Sequence, residues 1–448
     1  MEPLEGQMAE ATNSDSTIST KLQRIADLAK RHPELSFTSL AYHIDIDWLK
    51  EAYRRTRKDG APGIDGETGA DYGEDLELRL QSLLDRAKSG RYRAPAVRRV
   101  YIPKGDGKER RPLGIPTFED KVLQRAVAMV LEAVYEQDFL PCSHGFRPGR
   151  SPRTALRSLW EQTMAMGGCV LVEVDLRKFF DSVDHGQLRT VVSQRVRDGV
   201  LTRLIGKWLN AGVLEEGRLW YPEAGTPQGG VISPLLANIY LHEVLDVWFE
   251  REVRPRMRGR SFLVRYADDF VVGFAHEDDA RRFLAVLAKR FAKYGLTIHP
   301  EKTRLVDFRR PDKRPSSAGR GLSERSFDFL GFTHHWDRSR RGNWVVRKKT
   351  AATRFRRTMR KIHVWCRTHR HWKVREQHAV LSRMLRGHDG YFGVTGNWSS
   401  LARLRYAVLH TWLYWLNRRS QRPSLTWARW LRWQQRFPLP SPAIHWQG

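Results

Sequence analysis

The sequence predicts an α+β fold with an appended helical module, and three observations predict it. The strand-like run Val170-Leu171-Val172-Glu173-Val174 ends on an acid, Asp175. After intervening helical stretches, a second acidic unit follows: Phe262-Leu263-Val264 and Phe270-Val271-Val272 flank Tyr266-Ala267-Asp268-Asp269, a strand-turn-strand pattern with two carboxylates at its tip. The last quarter then turns helical and basic, with residues 337–448 holding 25 Lys and Arg against 3 Asp and Glu.

Each element follows from its local pattern. Residues 1–20 contain no Lys or Arg, four acids and many Ser and Thr, and read as a disordered tail. Residues 21–31 and 46–57 have the spacing of amphipathic helices, and the Gly/Pro/Asp run at 58–66 breaks them. Residues 76–89 read as helix. Residues 97–102 and 111–115 form a hairpin around a turn at 103–108, and 121–135 is a strongly periodic helix. A strand at 169–175, helices at 187–196, 201–209 and 235–250, the acidic hairpin and a helix at 278–294 complete the central region. The Pro/Gly/Ser/Arg-rich stretch 309–325 is a connector, 327–332 is a short strand, and the chain beyond 344 is mostly helical.

Composition excludes several classes. No apolar run is long enough for a membrane span. The N-terminus resembles neither a secretory signal nor a transit peptide. Three scattered cysteines, Cys142, Cys169 and Cys366, give neither a disulfide framework nor a Cys-x-x-Cys metal site, which suits a reducing cytoplasm. Most of the net charge of +28 lies in the last quarter, as do ten of the sixteen Trp, and such a basic-aromatic region points to a nucleic-acid partner.

The adjacent Asp268 and Asp269 repel one another and make sense around a divalent cation, since hard oxygen ligands suit Mg²⁺. A surface turn is the other reading, because Asp is a common turn residue. If neighbouring strands present Asp175 and Asp268, the three carboxylates form a ligand set for two Mg²⁺ ions about 3.5–4 Å apart.

The succession of blocks resembles the group II intron reverse transcriptase/maturase family. The blocks are Gly60 to Gly66, Ile102-Pro103-Lys104 with Arg111-Pro112-Leu113-Gly114-Ile115-Pro116, His144-Gly145-Phe146-Arg147-Pro148-Gly149-Arg150-Ser151, and Val174-Asp175 through Phe180-Asp181. Thr226-Pro227-Gln228-Gly229-Gly230, Tyr266-Ala267-Asp268-Asp269, Gly295-Leu296-Thr297-Ile298 with Lys302-Thr303, Phe329-Leu330-Gly331-Phe332, and Arg386 to Phe392 complete them, in the family's order over about residues 58–420.

The resemblance implies a right-hand polymerase of fingers and palm with an appended all-helical basic thumb or maturase domain. Its expected domains are N-terminal extension and fingers at 21–170, palm at 171–336, thumb at 337–410 and a basic DNA/RNA-binding segment at 411–448. It assigns Asp175, Asp268 and Asp269 to catalysis and to two Mg²⁺ ions. Phe180 would exclude a 2′-hydroxyl, against ordinary core packing. Lys104 and Arg111 would grip the triphosphate, against solvent exposure. Gln228 would touch nucleotide or template, and Lys302 would sit near the triphosphate or the palm acids, against roles as surface residues. In the C-terminal helices, Leu401, Leu404, Val408, Trp412, Trp415 and Leu416 form a core stripe, while Arg403, Arg405, Arg418 and Arg419 point outward to phosphate. Trp427, Trp430 and Trp433 pack on the bundle in a last basic helix.

The implied activity is RNA-directed DNA synthesis. The implied partners are group II intron RNA, an RNA template with DNA primer, dNTPs and target DNA, in the bacterial cytoplasm and without a membrane. The chain stops at Gly448 with no paired-cysteine endonuclease segment, as in the endonuclease-less form of the family. A related reverse transcriptase in antiviral defence or DNA repair, and a non-polymerising RNA-binding splicing factor, are the alternatives.

Overall fold

The computed structural model describes residues 5–104, 109–215, 218–221, 229–311, 325–420 and 425–446. Gln228, the turn at 105–108 and residues 312–324 of the expected connector lie outside the described residues, and only the backbone of Lys104 is described.

The first helix, α1, spans Glu5–Arg31 and so runs through most of the stretch whose composition reads as a disordered tail. Its C-terminal part is the helix expected at 21–31, where Ile25 and Ala29 are buried; Ile18 extends that buried face upstream, and α1 packs on the later helix at Phe118–Tyr135. Next come α2 (Ile46–Arg55), capped by Asp45, whose side chain accepts from Trp48 N, and α3 (Leu76–Ser89), which ends on the left-handed Gly90. Strands β1 (Val97–Lys104) and β2 (Glu109–Ile115) form an antiparallel hairpin that pairs Ile102 with Arg111 and Lys104 with Glu109. Positions 104 and 111 therefore share one face. The helix α4 (Phe118–Tyr135) follows a Thr117 cap and is buried almost all round, as expected of a central core helix.

Pro152 opens α5 (Pro152–Ala165), a helix that is not among the elements expected from the sequence. It is followed by β3 (Gly168–Val174), the four-residue α6 (Phe179–Ser182), α7 (His185–Arg195) and α8 (Gly199–Leu209). Asp184 and Asp198 cap α7 and α8 through their carboxylates. Strands β4 (Val213–Glu215) and β5 (Arg218–Trp220) extend the first hairpin into a sheet of order β2-β1-β4-β5. The helix expected at 235–250 is α9 (Ser233–Leu241) continued by π-helical turns at His242–Val247 and Phe249–Val253.

The acidic hairpin is β6 (Ser261–Tyr266) and β7 (Asp269–Phe274), followed by α10 (Glu277–Lys293) and β8 (Arg304–Arg309). These strands form a sheet of order β6-β7-β3-β8. Where a short strand is expected at 327–332, β9 (Ser326–Phe329) and β10 (Phe332–Arg338) form, and β11 (Trp344–Thr350) takes the start of the region expected to be helical, in a sheet of order β11-β10-β9. It crosses the expected palm-thumb boundary at 336/337.

The helices α11 (Ala352–Thr368), α12 (Val374–Phe392), α13 (Trp398–Leu416) and α14 (Trp427–Arg436) close the chain. The expected boundary at 410/411 falls inside α13, whose buried stripe of Leu401, Leu404, Val408, Trp412 and Leu416 runs unbroken across it. Their core gathers Ile362, Cys366, Leu381, Leu385, Leu404, Val408, Trp412, Leu416, Trp430 and Leu439. Trp412 meets Trp430 edge-on at 5.0 Å. Gln377 ties the bundle together, accepting from Trp412 Nε1 and donating to the carbonyls of His369, Arg370 and Trp372.

By contacts the chain divides into two compact units. One comprises Met1–Ala155, Val174–Phe270 and Arg281–Thr303, and the other Leu156–Glu173, Val271–Ala280 and Arg304–Gly448. Asp175, Asp268, Asp269, Phe180, Arg111 and Lys302 all belong to the first.

Candidate active site

Asp175 follows β3 and is fixed by the segment at 297–303. Its carbonyl accepts from His299 N at 2.8 Å, and Arg177 N donates to Thr297 O at 2.9 Å. Leu176 bridges Ile298. The ammonium of Lys302 lies 3.0 Å from Asp175 Oδ2, and both side chains are partly exposed. Lys302 thus stands beside one of the predicted palm acids. In the sheet order, β7, which begins at Asp269, neighbours β3. Asp268 is half-buried and Asp269 exposed.

The turn that carries the acid pair is held from beneath. Ala267 adopts φ 57°, a left-handed conformation unfavourable for a residue with a Cβ. The fully buried Arg265 donates from Nη1 to the Ala267 carbonyl at 3.1 Å and to Asn238 Oδ1 at 2.9 Å. Its Nη2 donates to Ser143 Oγ at 2.7 Å and Asp246 Oδ2 at 2.6 Å, and its Nε to Asp246 Oδ1 at 2.8 Å. Burial works against its charge, but the Asp246 carboxylate outweighs this and raises the guanidinium pKa above its ordinary value. Arg265, three residues before Asp268 in the chain, thus pairs in the structure with Asp246.

The loop that begins at Gly229 is anchored on β2 and α4. Gly229 sits at φ 115°, and a Cβ there would lie 2.5 Å from the Gly114 carbonyl oxygen on β2, so only glycine fits. Ile232 N donates to Gln124 Oε1 at 3.3 Å, and Gln124 Nε2 donates to the buried Asp120 at 3.0 Å. Asp120 also accepts from Trp208 Nε1 at 2.6 Å and Tyr92 Oη at 2.5 Å. Burial pushes its carboxyl up to about 6, with the hydrogen bonds from Tyr92, Trp208 and Gln124 opposing.

Of the remaining predicted residues, Phe180 is half-buried and meets Phe179 edge-on at 5.3 Å. Arg111 is exposed on the hairpin face it shares with position 104. Arg403 and Arg418 are exposed and lie over aromatic rings, 4.6 Å from Phe355 and 4.5 Å from Tyr414. Arg405 and Arg419 differ from the outward orientation expected. Arg405 Nε donates to Pro440 O at 3.1 Å, and Arg419 Nη2 to Trp372 O at 2.6 Å. Trp430 is buried in the bundle, whereas Trp433 is partly exposed.

Three carboxylates on adjoining strands of one sheet are the hard oxygen donors that Mg²⁺ requires, and Asp175 already faces a cation in Lys302. Among the described residues, no group of three or more His, Cys, Asp or Glu side chains is gathered as a formed metal cage. The three acids share hard-donor chemistry and the ends of neighbouring strands without being gathered into a metal cage.

Residues 102–334, which contain the hairpin face, both acid strands and the Gly229 loop, match the reverse transcriptase (RNA-dependent DNA polymerase) family. The chain belongs to that family. Reverse transcriptases have a palm and fingers and generally use divalent metal ions, and the mixed helix-and-sheet architecture agrees with the expected α+β class. Protein YkfC of Escherichia coli (strain K12) is 38% identical over 287 residues, covering 57% of this chain and 75% of the relative. The group II intron-encoded protein LtrA of Lactococcus lactis subsp. cremoris is 38% identical over 247 residues, 53% of this chain and 40% of the relative. Nuclear intron maturase 4, mitochondrial, of Arabidopsis thaliana is 33% identical over 212 residues, 47% of this chain and 25% of the relative. These relatives support recognition of this reverse transcriptase as one of the group II intron reverse transcriptase/maturase type. The matches span well under two thirds of the length of the two intron proteins. Among the described residues of this reverse transcriptase, no helix is long and apolar enough to cross a membrane.

Proposed function

We propose that this chain is an RNA-directed DNA polymerase that binds its own group II intron RNA, assists splicing and performs target-primed reverse transcription. Support for the polymerase centre comes chiefly from the sheet order, with β7 beside the strand that leads into Asp175. Asp175, Asp268 and Asp269 would hold two Mg²⁺ ions. Ions held there would supply activation of a primer 3′-hydroxyl and neutralisation of the leaving pyrophosphate.

The chain's own residues do the rest. Lys302, 3.0 Å from Asp175 Oδ2, serves at the palm acids or at the triphosphate. Arg111 and Lys104, on one face of the β1-β2 hairpin, grip the phosphates. Phe180 packs under the incoming sugar and excludes a 2′-hydroxyl, and Gln228 contacts nucleotide or template. The helices α11–α14 serve as thumb and maturase domain. Arg403 and Arg418 carry exposed charge to the RNA backbone, and Arg405 and Arg419 shape the same surface. The substrates are then dNTPs, an RNA template with DNA primer and a target DNA, within a bacterial cytoplasmic ribonucleoprotein.

Primer extension on an RNA template by the purified full chain tests the reading. Wild type should extend only with Mg²⁺ or a similar divalent ion, and Asp268→Asn and Asp175→Asn should abolish extension while retaining primer-template binding. Extension by Asp268→Asn at the wild-type rate would sink the assignment. Intron RNA binding should weaken steeply with added salt.

A further inference from the structure

We propose that Arg265, with Ser143, Gly145, Asn238 and Asp246, is a positioning device that fixes the backbone of the Ala267 turn and thereby aims Asp268. The inference rests on the reading of Asp268 as a metal ligand and adds residues that do not themselves touch metal or substrate.

The geometry is specific. All five N–H donors of Arg265 are engaged, on Asp246, Asn238, Ser143 and the Ala267 carbonyl. The last of these bonds holds the peptide plane that joins Ala267 to Asp268, because a peptide unit moves as one rigid plane. The preceding plane, Tyr266 to Ala267, is held by close packing. A Cβ on Gly145 would lie 2.3 Å from Ala267 N and 3.0 Å from the Tyr266 carbonyl carbon, so the Gly145 backbone presses directly on it.

Both planes that flank a left-handed, non-glycine residue are thus clamped, and the clamp is itself braced. Asn238 Nδ2 donates to Gly145 O at 2.6 Å while Asn238 Oδ1 accepts from Arg265. Arg265 N donates to Cys142 O at 2.8 Å and His144 N to Arg265 O at 2.9 Å, which lays the 142–145 segment alongside β6. Ser143, Asn238, Asp246 and Arg265 are all fully buried. A surface turn that needed only to reverse the chain would use glycine or asparagine at position 267 and no buried charge.

The test uses Gly145→Ala and Ser143→Ala in the full chain. The readouts are circular dichroism, primer-template affinity, kcat and KM for dNTP, and the Mg²⁺ concentration for half-maximal extension. Gly145→Ala should lower kcat about 100-fold, the cost typical of an ångström-scale misplacement. Ser143→Ala, which removes one charged hydrogen bond, should lower it about tenfold. In both, half-maximal Mg²⁺ should rise several-fold while primer-template affinity stays at the wild-type value. A merely structural role would lower the folded fraction without moving the Mg²⁺ requirement, and that result overturns the proposal. If Gly145→Ala does not fold, Ser143→Ala decides by the same readout. Asp268→Asn runs alongside: its loss of extension together with wild-type Mg²⁺ behaviour in both clamp variants overturns the clamp alone. Full extension by Asp268→Asn overturns the metal-ligand reading and the clamp with it.

Discussion

Among the described residues, two cations are buried in β-strands, and they are treated in opposite ways. Arg265 on β6 has a partner for every donor, including a two-point ion pair with Asp246. Lys348 on β11 faces His334 across the β10-β11 ladder, and its ammonium has no hydrogen-bond partner among the described residues. The His334 ring, stacked on Phe327 at 4.8 Å, makes no well-formed hydrogen bond among those residues either, with only a marginal contact from the Phe329 backbone. Trp446 offers Lys348 a ring face at 5.5 Å. Burial, reinforced by Arg157, pushes the Lys348 ammonium down to about 8, and burial with Lys348 pushes His334 down to about 3. A buried charge with a full set of partners fixes geometry, whereas one without them destabilises the fold and makes it sensitive to pH.

The comparison breaks most readily at Asp246. Asp246→Ala would strand the guanidinium in the core, and urea denaturation of the full chain should show a loss of about 3–5 kcal/mol; a loss under about 1 kcal/mol would erase the contrast. Next in size is the pH response of Lys348. Its folded pKa of about 8 lies below the ordinary 10.5, so the unfolded chain binds more protons between those values and stability rises with pH across that window. The rise should approach about 3 kcal/mol, seen as the difference between wild type and Lys348→Met in melts from pH 8 to 10.5, with Met lacking that slope. At pH 7 the same Lys348→Met change should stabilise the fold by about 1–3 kcal/mol, read as a higher midpoint in urea; a lower midpoint would mean that the ammonium has a compensating partner. The smallest effect belongs to the half-exposed pair of Arg304 Nε and Glu173, 2.7 Å apart. Arg304→Gln should change stability by less than about 1 kcal/mol, which separates surface charge from both buried cases.

The same contrast explains what could be read in advance. α3 was legible to its last residue because its apolar positions recur at helical spacing and Gly90 stops it. The β6-β7 hairpin was legible because two short apolar runs bracket a turn. The β10-β11 hairpin was not. On β11 the buried positions are Val346, Lys348 and Thr350, so a lysine occupies an inward site and the alternation of polarity disappears. The N-terminal part of α1, residues 5–20, escaped for the opposite reason: its acidic, Ser/Thr-rich sequence carries few apolar residues, whereas 21–31, with the buried Ile25 and Ala29, reads as helix. Gly145 and Asn238 belong to recognisable blocks or helices, but nothing in their spacing relates them to the Ala267 turn.

By itself the sequence determined the α+β class, the basic helical last quarter, the acids at the ends of two strands and the reverse transcriptase family. These are written in local periodicity, composition and short motifs, each contained in a few neighbouring residues. The tertiary structure alone decided that β7 lies next to β3, that Lys302 meets Asp175, and that Arg265 pairs with Asp246 and braces the turn that carries the acid pair. Those facts join residues far apart in the chain, and only the burial of a shared core, with the cost of leaving buried polar groups unpaired, selects among the pairings the sequence leaves open.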